Sequence, residues 1–491
     1  MRRALRALAS CVLAACLAAP AVAPASGALA LTPCELEHPL RLTVVAAECG
    51  VLKVAENPAE PHGRQIGLRV ARVLAINRRR QADALFVLAG GPGQAAGSFY
   101  ASVAGAFARI HRDRDIVLVD QRGTGDSNPL NCAADEERLN QASAAEVTAL
   151  AQHCLEALRP RATVAFYTTS VAVRDLEQVR AALGYERLDL YGVSYGTRVA
   201  QHYVRRFPAR VRAVILDGVL PPELAVGPAV ATDAEAALRR ILARCVAERP
   251  CRERFGDPVR DYEALREKLA QHAVPVTVAD PAAGEPRHVD FNRDHLASVL
   301  RLGGYSADYA ALLPLFLHGA ARGADYAPLA AQYLLLEHSY ESIALGMHNS
   351  VVCTEDVPFW EGHAIDRAAI AATFMGTGQI DALVSLCRIW PHGPIDADFH
   401  QPLHSDAPAL LLSGADDPVT PPAYARQAAG GFTHVLEIEL PGFGHGQLTA
   451  PCMGRVLAQF LALGTLSGLD TECLKNARPL PFFTSVNGPP P

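Results

Sequence analysis

Apolar residues fall into two alternating patterns along this chain, and the alternation predicts its architecture. Short, mostly apolar runs at 84–88 (ALFVL), 116–119 (IVLV), 188–191 (LDLY), 211–216 (VRAVIL) and 409–412 (ALLL) read as buried strands. Between them, residues 171–183 repeat apolar positions at helical spacing behind Thr168, Thr169 and Ser170, which can cap a helix start, and 197–207 reads as a helix stopped at Pro208. From residue 84 onward this predicts an α/β fold, a mainly parallel sheet covered by helices on both faces, with functional residues at the C-terminal ends of the strands. Ahead of it, 41–46 and 66–75 are extended and Val-rich, an antiparallel opening to the sheet. The alternation stops between about 222 and 405, where helical stretches such as 234–247 and 262–272 read as an inserted helical cap; strands resume at 409–412 and 435–440. The division expected is a core at 31–222, a cap at 223–405 and the remainder of the core at 406–491. No internal repeat is present, and only the Pro-rich end at 487–491 looks frayed.

Composition narrows the class. The chain has 491 residues, half of them apolar, which is enough for a large core. Its net charge is −6 and no Lys/Arg block follows the N-terminus, so a nucleic-acid partner is not expected. Residues 1–30 have a basic start, an Ala/Leu/Val-rich run and small residues ending in Ala28-Leu29-Ala30, the pattern of a cleaved export signal. Leu13-Ala14-Ala15-Cys16 also resembles a lipobox, which leaves lipoprotein anchoring at Cys16 as the alternative. No later segment is long and apolar enough to predict a spanning helix. Beyond residue 30 the cysteines are Cys34, Cys49, Cys132, Cys154, Cys245, Cys251, Cys353, Cys387, Cys452 and Cys473, an even set that favours disulfides over metal ligands in an exported chain. Neighbours in sequence are the expected partners, because short loops close with least rearrangement and each such pair stays within one expected domain. No metal and no cofactor are expected.

The stretch 188–197, LDLYGVSYGT, supplies the chemistry. Gly192-Val193-Ser194-Tyr195-Gly196 spells G-x-S-x-G at the end of a strand, where Ser194 would sit on a sharp turn and the glycines would avoid collisions with the backbone. A serine hydroxyl needs a base, and the base needs a carboxylate to orient it. Asp417 and His445 each follow a late strand, in the order Ser, Asp, His; Asp416 stands beside Asp417 as a rival, and Asp217, read as a cap, is a further acid position. The loop Ala89-Gly90-Gly91-Pro92-Gly93 can present N–H groups to a negative oxygen, or is a plain turn. Asp120 and Arg122, after the strand at 116–119, read as a structural ion pair, and His400 and His404 as surface residues.

Four blocks, AGGPG at 89–93, DQRGTGDS at 120–127, GVSYGT at 192–197, and SGADDPVTPP at 413–422 with GFGHG at 442–446, resemble the α/β-hydrolase serine peptidases that include prolyl iminopeptidases and exported tripeptidyl aminopeptidases. The resemblance implies an α/β-hydrolase fold with Ser194, Asp417 and His445 as the catalytic residues. It also implies the N–H of Gly90 or Gly91, with that of Tyr195, as the oxyanion site. One departure is Ala89, where the family often has His, so a side-chain role there is lost while the backbone donors remain. The function expected is an exported aminopeptidase acting through an acyl-enzyme on peptides or small esters. A carboxylesterase and a non-catalytic binding protein on the same fold are the alternatives. Glu355 or Asp356, beside Cys353 in the cap, is a candidate for holding a substrate ammonium group, or the pair is a solvated acidic turn before Pro358.

Overall fold

A computed structural model of the chain describes residues 29–132, 143–340, 343–360 and 365–489. The export signal expected at 1–30, Cys16 included, lies outside these residues but for its last two positions.

The described residues form a sheet of nine strands. In chain order its first seven are β1 (Thr32–Glu37), β2 (Val44–Ala55), β3 (Gln65–Val73), β4 (Ala84–Leu88), β5 (Ile116–Val119), β6 (Leu188–Val193) and β7 (Val211–Asp217). A hairpin follows, β8 (Val274–Ala279) and β9 (Pro286–Phe291), before the sheet ends with β10 (Ala409–Gly414) and β11 (Val435–Leu440). The order across the sheet is β1-β2-β3-β5-β4-β6-β7-β10-β11. From β5 to β11 every pairing is parallel, and β1, β2 and β3 join antiparallel at one edge. The antiparallel opening thus has three strands rather than the two expected: the run at 41–46 straddles a turn and the start of β2, and β1 precedes it.

Alternation within the strands divides the interior into two layers. Phe86, Leu88, Val117, Leu190 and Leu216 face a cluster filled by Leu176, Val199 and Tyr203 from the helices Thr169–Ala182 and Tyr195–Arg206. Leu85, Val87, Leu118, Tyr191 and Ile215 face the opposite cluster, filled by Tyr100, Val456 and Phe460. Each buried strand therefore needs apolar residues on both sides, the physical reason for the unbroken runs in the sequence.

Between β7 and β10 the described residues make two larger packing units, beside a small cluster of Ala231, Trp360, Ile370 and Ile380. One, built on Leu238, Tyr262, Leu300, Leu313 and Phe291, has its own apolar centre and contains the β8–β9 hairpin, a departure from an all-helical insertion. The other, the helix Leu345–Glu355 with the following Gly378–Cys387, sends Met347, Val351, Cys353 and Cys387 into the layer behind β6. Disulfides join Cys34 to Cys49, Cys132 to Cys154, Cys245 to Cys251, Cys353 to Cys387 and Cys452 to Cys473, the sequence-neighbour pairing expected. The expected Asp120–Arg122 pair does not form. Arg122 is buried against Asp175, with contacts of 2.6 and 2.8 Å, while Asp120 accepts the N–H groups of Gly97 and Asp126.

Candidate active site

β6 ends at Ser194, whose φ of 56° and ψ of −125° turn the chain sharply into the helix Tyr195–Arg206. The flanking glycines have the steric cause expected of them. A Cβ on Gly192 would lie 2.3 Å from the Gly196 carbonyl oxygen, and one on Gly196 would lie 2.3 Å from that of Leu88. The Ser194 N–H donates to the Asp217 carbonyl at 2.9 Å, tying the turn to the end of β7.

Asp417 sits in the turn after β10, fully buried. Its Oδ1 accepts the N–H groups of Val419 and Thr420 at 2.8 Å each; its Oδ2 accepts the Thr420 hydroxyl at 2.9 Å and lies 2.8 Å from His445 Nδ1. Burial disfavours the charged imidazole, but the Asp417 charge and hydrogen bond, with the Asp217 charge behind them, outweigh it and hold the His445 pKa above its ordinary value. The ring's other nitrogen, Nε2, is buried without a hydrogen-bond partner. Asp416 points elsewhere, 3.5 Å from both Arg240 and Arg244. Asp217 accepts the Tyr191 hydroxyl at 2.8 Å and the Gln447 N–H at 2.7 Å, so it fastens the loop that carries His445, and burial pushes its pKa up to about 6. That loop is also held from the insertion: the His445 N–H donates to the Tyr305 carbonyl at 2.8 Å, and the Tyr305 ring meets the imidazole edge-on at 4.8 Å.

Ser194 and His445 line one cavity of about 640 Å³ with Gly90 and Gly91. The glycine loop presses close, since a Cβ on Gly90 would come within 3.2 Å of the Ser194 Cβ. Gly90 donates its N–H to Gln94 Oε1 at 3.3 Å, so of the two glycines Gly91 is the one whose N–H is not directed at that side chain. Phe99, Leu302, Tyr305, Leu336, Ile343 and Leu345 give the cavity an apolar wall, and Arg301, His348 and Gln379 add polar groups. Sequence reasoning missed these wall residues and Gln94. They come from helices and loops without a motif, and only Gln94, one residue beyond AGGPG, had a local signal.

Glu355 and Asp356 do not line this cavity. Both are buried on the far side of the Ser194 helix, where Asp356 holds Arg198 through two contacts of 2.8 and 3.1 Å and Glu355 accepts the Thr169 N–H and hydroxyl at 2.6 and 2.8 Å. The ammonium-binding expectation is therefore corrected: internal donors occupy both carboxylates. Neither is the solvated turn that was the alternative. His400 is likewise half-buried, its Nδ1 3.1 Å from the Pro222 carbonyl, while His404 is exposed as expected. Among the described residues no group of three or more His, Cys, Asp or Glu is arranged to hold a metal ion.

Two family models match: the alpha/beta hydrolase fold over residues 83–244, which covers the glycine loop and Ser194, and TAP-like protein over 372–473, which covers Asp417 and His445. The chain is a serine hydrolase of the α/β-hydrolase fold. This hydrolase is similar to serine protease Hip1 of Mycobacterium tuberculosis, 27% identical over 481 residues and 90% of each chain. It is 33% identical to the tripeptidyl aminopeptidase of Streptomyces lividans over 193 residues, 36% of each. It is also 29% identical to carboxylesterase B of M. tuberculosis over 476 residues, 87% of the hydrolase and 86% of that relative. No described helix of the hydrolase is long and apolar enough to cross a membrane.

Proposed function

We propose that the hydrolase is an exported aminopeptidase that works through an acyl-enzyme on Ser194. The observation behind this reading is the His445 ring, bonded through Nδ1 to Asp417 while its unpartnered Nε2 belongs to a residue of the cavity that holds Ser194. In this mechanism Nε2 takes the Ser194 proton as Oγ attacks the substrate carbonyl, and Asp417 stabilises the imidazolium. The N–H groups of Gly91 and Tyr195 receive the oxyanion, each donor accounting for about 10²- to 10³-fold in rate. His445 then protonates the leaving amine, and water attacks the acyl-serine by the reverse path. Residues 223–405 act as the cap that shapes the cavity. Export accords with the leader-like N-terminus and the five disulfides.

A second reading, carboxylesterase, has a specific observation in its favour. The described wall of the cavity is largely apolar, from Phe99, Leu302, Leu336, Ile343 and Leu345, a surface suited to the acyl or alcohol part of a simple ester. Peptide amides with free and acetylated N-termini, compared with simple esters of the same acyl group, decide between the two. A preference in kcat/KM for the free amine supports the aminopeptidase, and indifference to the amine with faster ester cleavage supports the esterase. In either case a fluorophosphonate should label Ser194, and Ser194→Ala should remove both label and turnover.

A further inference from the structure

Behind the Ser194 helix lies a buried polar chain that the proposed mechanism does not use. Gln121 Nε2 donates to the Tyr195 hydroxyl at 2.9 Å, and that hydroxyl lies 2.6 Å from Thr169 Oγ1, which donates in turn to Glu355 Oε2 at 2.8 Å. With Thr169 giving its proton to the carboxylate, its oxygen is left to accept from Tyr195, so all the donors run in one direction and end on Glu355. Glu355 Oε1 accepts the first N–H of the helix Thr169–Ala182 at 2.6 Å. That N–H has no partner within its own helix, and the neighbouring Thr168 hydroxyl is turned away to the Pro394 carbonyl. One turn beyond Tyr195, Arg198 lies 3.7 Å from Glu355 and is held bidentately by Asp356. Two adjacent acids of the insertion thus grip the first turn of the Ser194 helix at two points.

We propose that Glu355 is a positioning residue for the reaction at Ser194: through Thr169 and the Tyr195 hydroxyl it fixes the residue whose backbone N–H receives the oxyanion, with Asp356 and Arg198 as the brace. The inference rests on the acyl-enzyme reading above and adds to it a group remote from substrate. A side chain tethered at its hydroxyl leaves its own backbone little freedom to rotate, and a small misplacement of an oxyanion donor costs rate rather than affinity. Burial pushes the Glu355 pKa up to about 7, against the Arg198 charge and the Thr169 bonds; Asp356 and Tyr195 also face it, and the His400 side chain bonds its backbone.

The test compares wild type, Glu355→Gln, Thr169→Val, Tyr195→Phe and the Glu355→Gln/Tyr195→Phe double variant, measuring kcat and KM on one peptide amide and one ester, with thermal melts as the folding control. The expected result is a fall in kcat of about tenfold in each single variant on both substrates, with KM within about twofold. The double variant should be no slower than the slower single one, because both changes break one chain. Should Glu355→Gln not fold, Thr169→Val and Tyr195→Phe break the same chain without disturbing the buried charge. Unchanged kcat in those two variants overturns the proposal, as do additive losses in the double variant. A raised KM confined to free-amine peptides also overturns it, by making Glu355 a substrate contact. Fluorophosphonate labelling of wild-type Ser194 separates the layers: labelling with any of those results removes only this inference, and no labelling removes the acyl-enzyme reading with it.

Discussion

Asp416 and Asp417 are neighbours with the same side chain, yet only one reaches His445. Asp417 is fixed by two backbone N–H groups and a hydroxyl, while Asp416 faces Arg240 and Arg244. Asp417→Asn should therefore lower kcat by about 10⁴-fold, since the amide cannot hold the imidazole in the required tautomer, and Asp416→Asn should cost less than about tenfold; steady-state kinetics on one ester check both. His445 must be neutral to accept the serine proton. Because its pKa lies above the ordinary 6.5, kcat/KM should begin to fall on acidification at a pH above about 6.5. Asp217→Asn removes one of the charges that raise it and should move that acidic limb downward, as a pH–rate profile would show. Ser194, Asp417 and His445 could be proposed from the sequence because each sits in a short motif at a strand end. The fate of Glu355 and Asp356 was not, because a carboxylate near a cysteine reads alike whether it meets substrate or a buried arginine 158 positions away in sequence from Asp356.

At the scale of elements, legibility followed burial. β4, β5, β6, β7 and β10 are covered on both faces and read as apolar runs, and the helices Val230–Ala247 and Pro258–Gln271 kept their periodicity. β1, TPCELE, was missed because it is an edge strand with mostly exposed positions, and β8 and β9 because only alternate or scattered residues of the hairpin are covered. The turn between β6 and the Ser194 helix is closely packed against backbone. Gly196→Ala would place a methyl group 2.3 Å from the Leu88 carbonyl oxygen and 2.7 Å from that of Ala89, both rigid backbone at the root of the glycine loop. The expected cost is at least about 2 kcal/mol by denaturant unfolding, with kcat falling further than stability alone explains because the glycine loop must shift.

Over the whole molecule, the insertion touches the core around Ser194 from three directions: Tyr305 on the His445 loop, the Ala344 N–H on the Gly93 carbonyl, and Glu355 on Thr169. The disulfide between Cys353 and Cys387 clamps the helix that bears Glu355 to the helix Gly378–Cys387. Replacing both cysteines by serine should lower stability by about 2–4 kcal/mol in a thermal melt and reduce kcat with it. The pairing of all five cystines has a further consequence. Among the described residues each cysteine is joined to its immediate neighbour along the chain, so none of these ten waits for a partner beyond an intervening thiol. An exported polypeptide that leaves its translocation channel N-terminus first would meet an oxidant in that same order. For the export proposed above, oxidation in order of emergence therefore yields these five pairs directly, and their formation should depend on a dithiol oxidase but not on a disulfide isomerase.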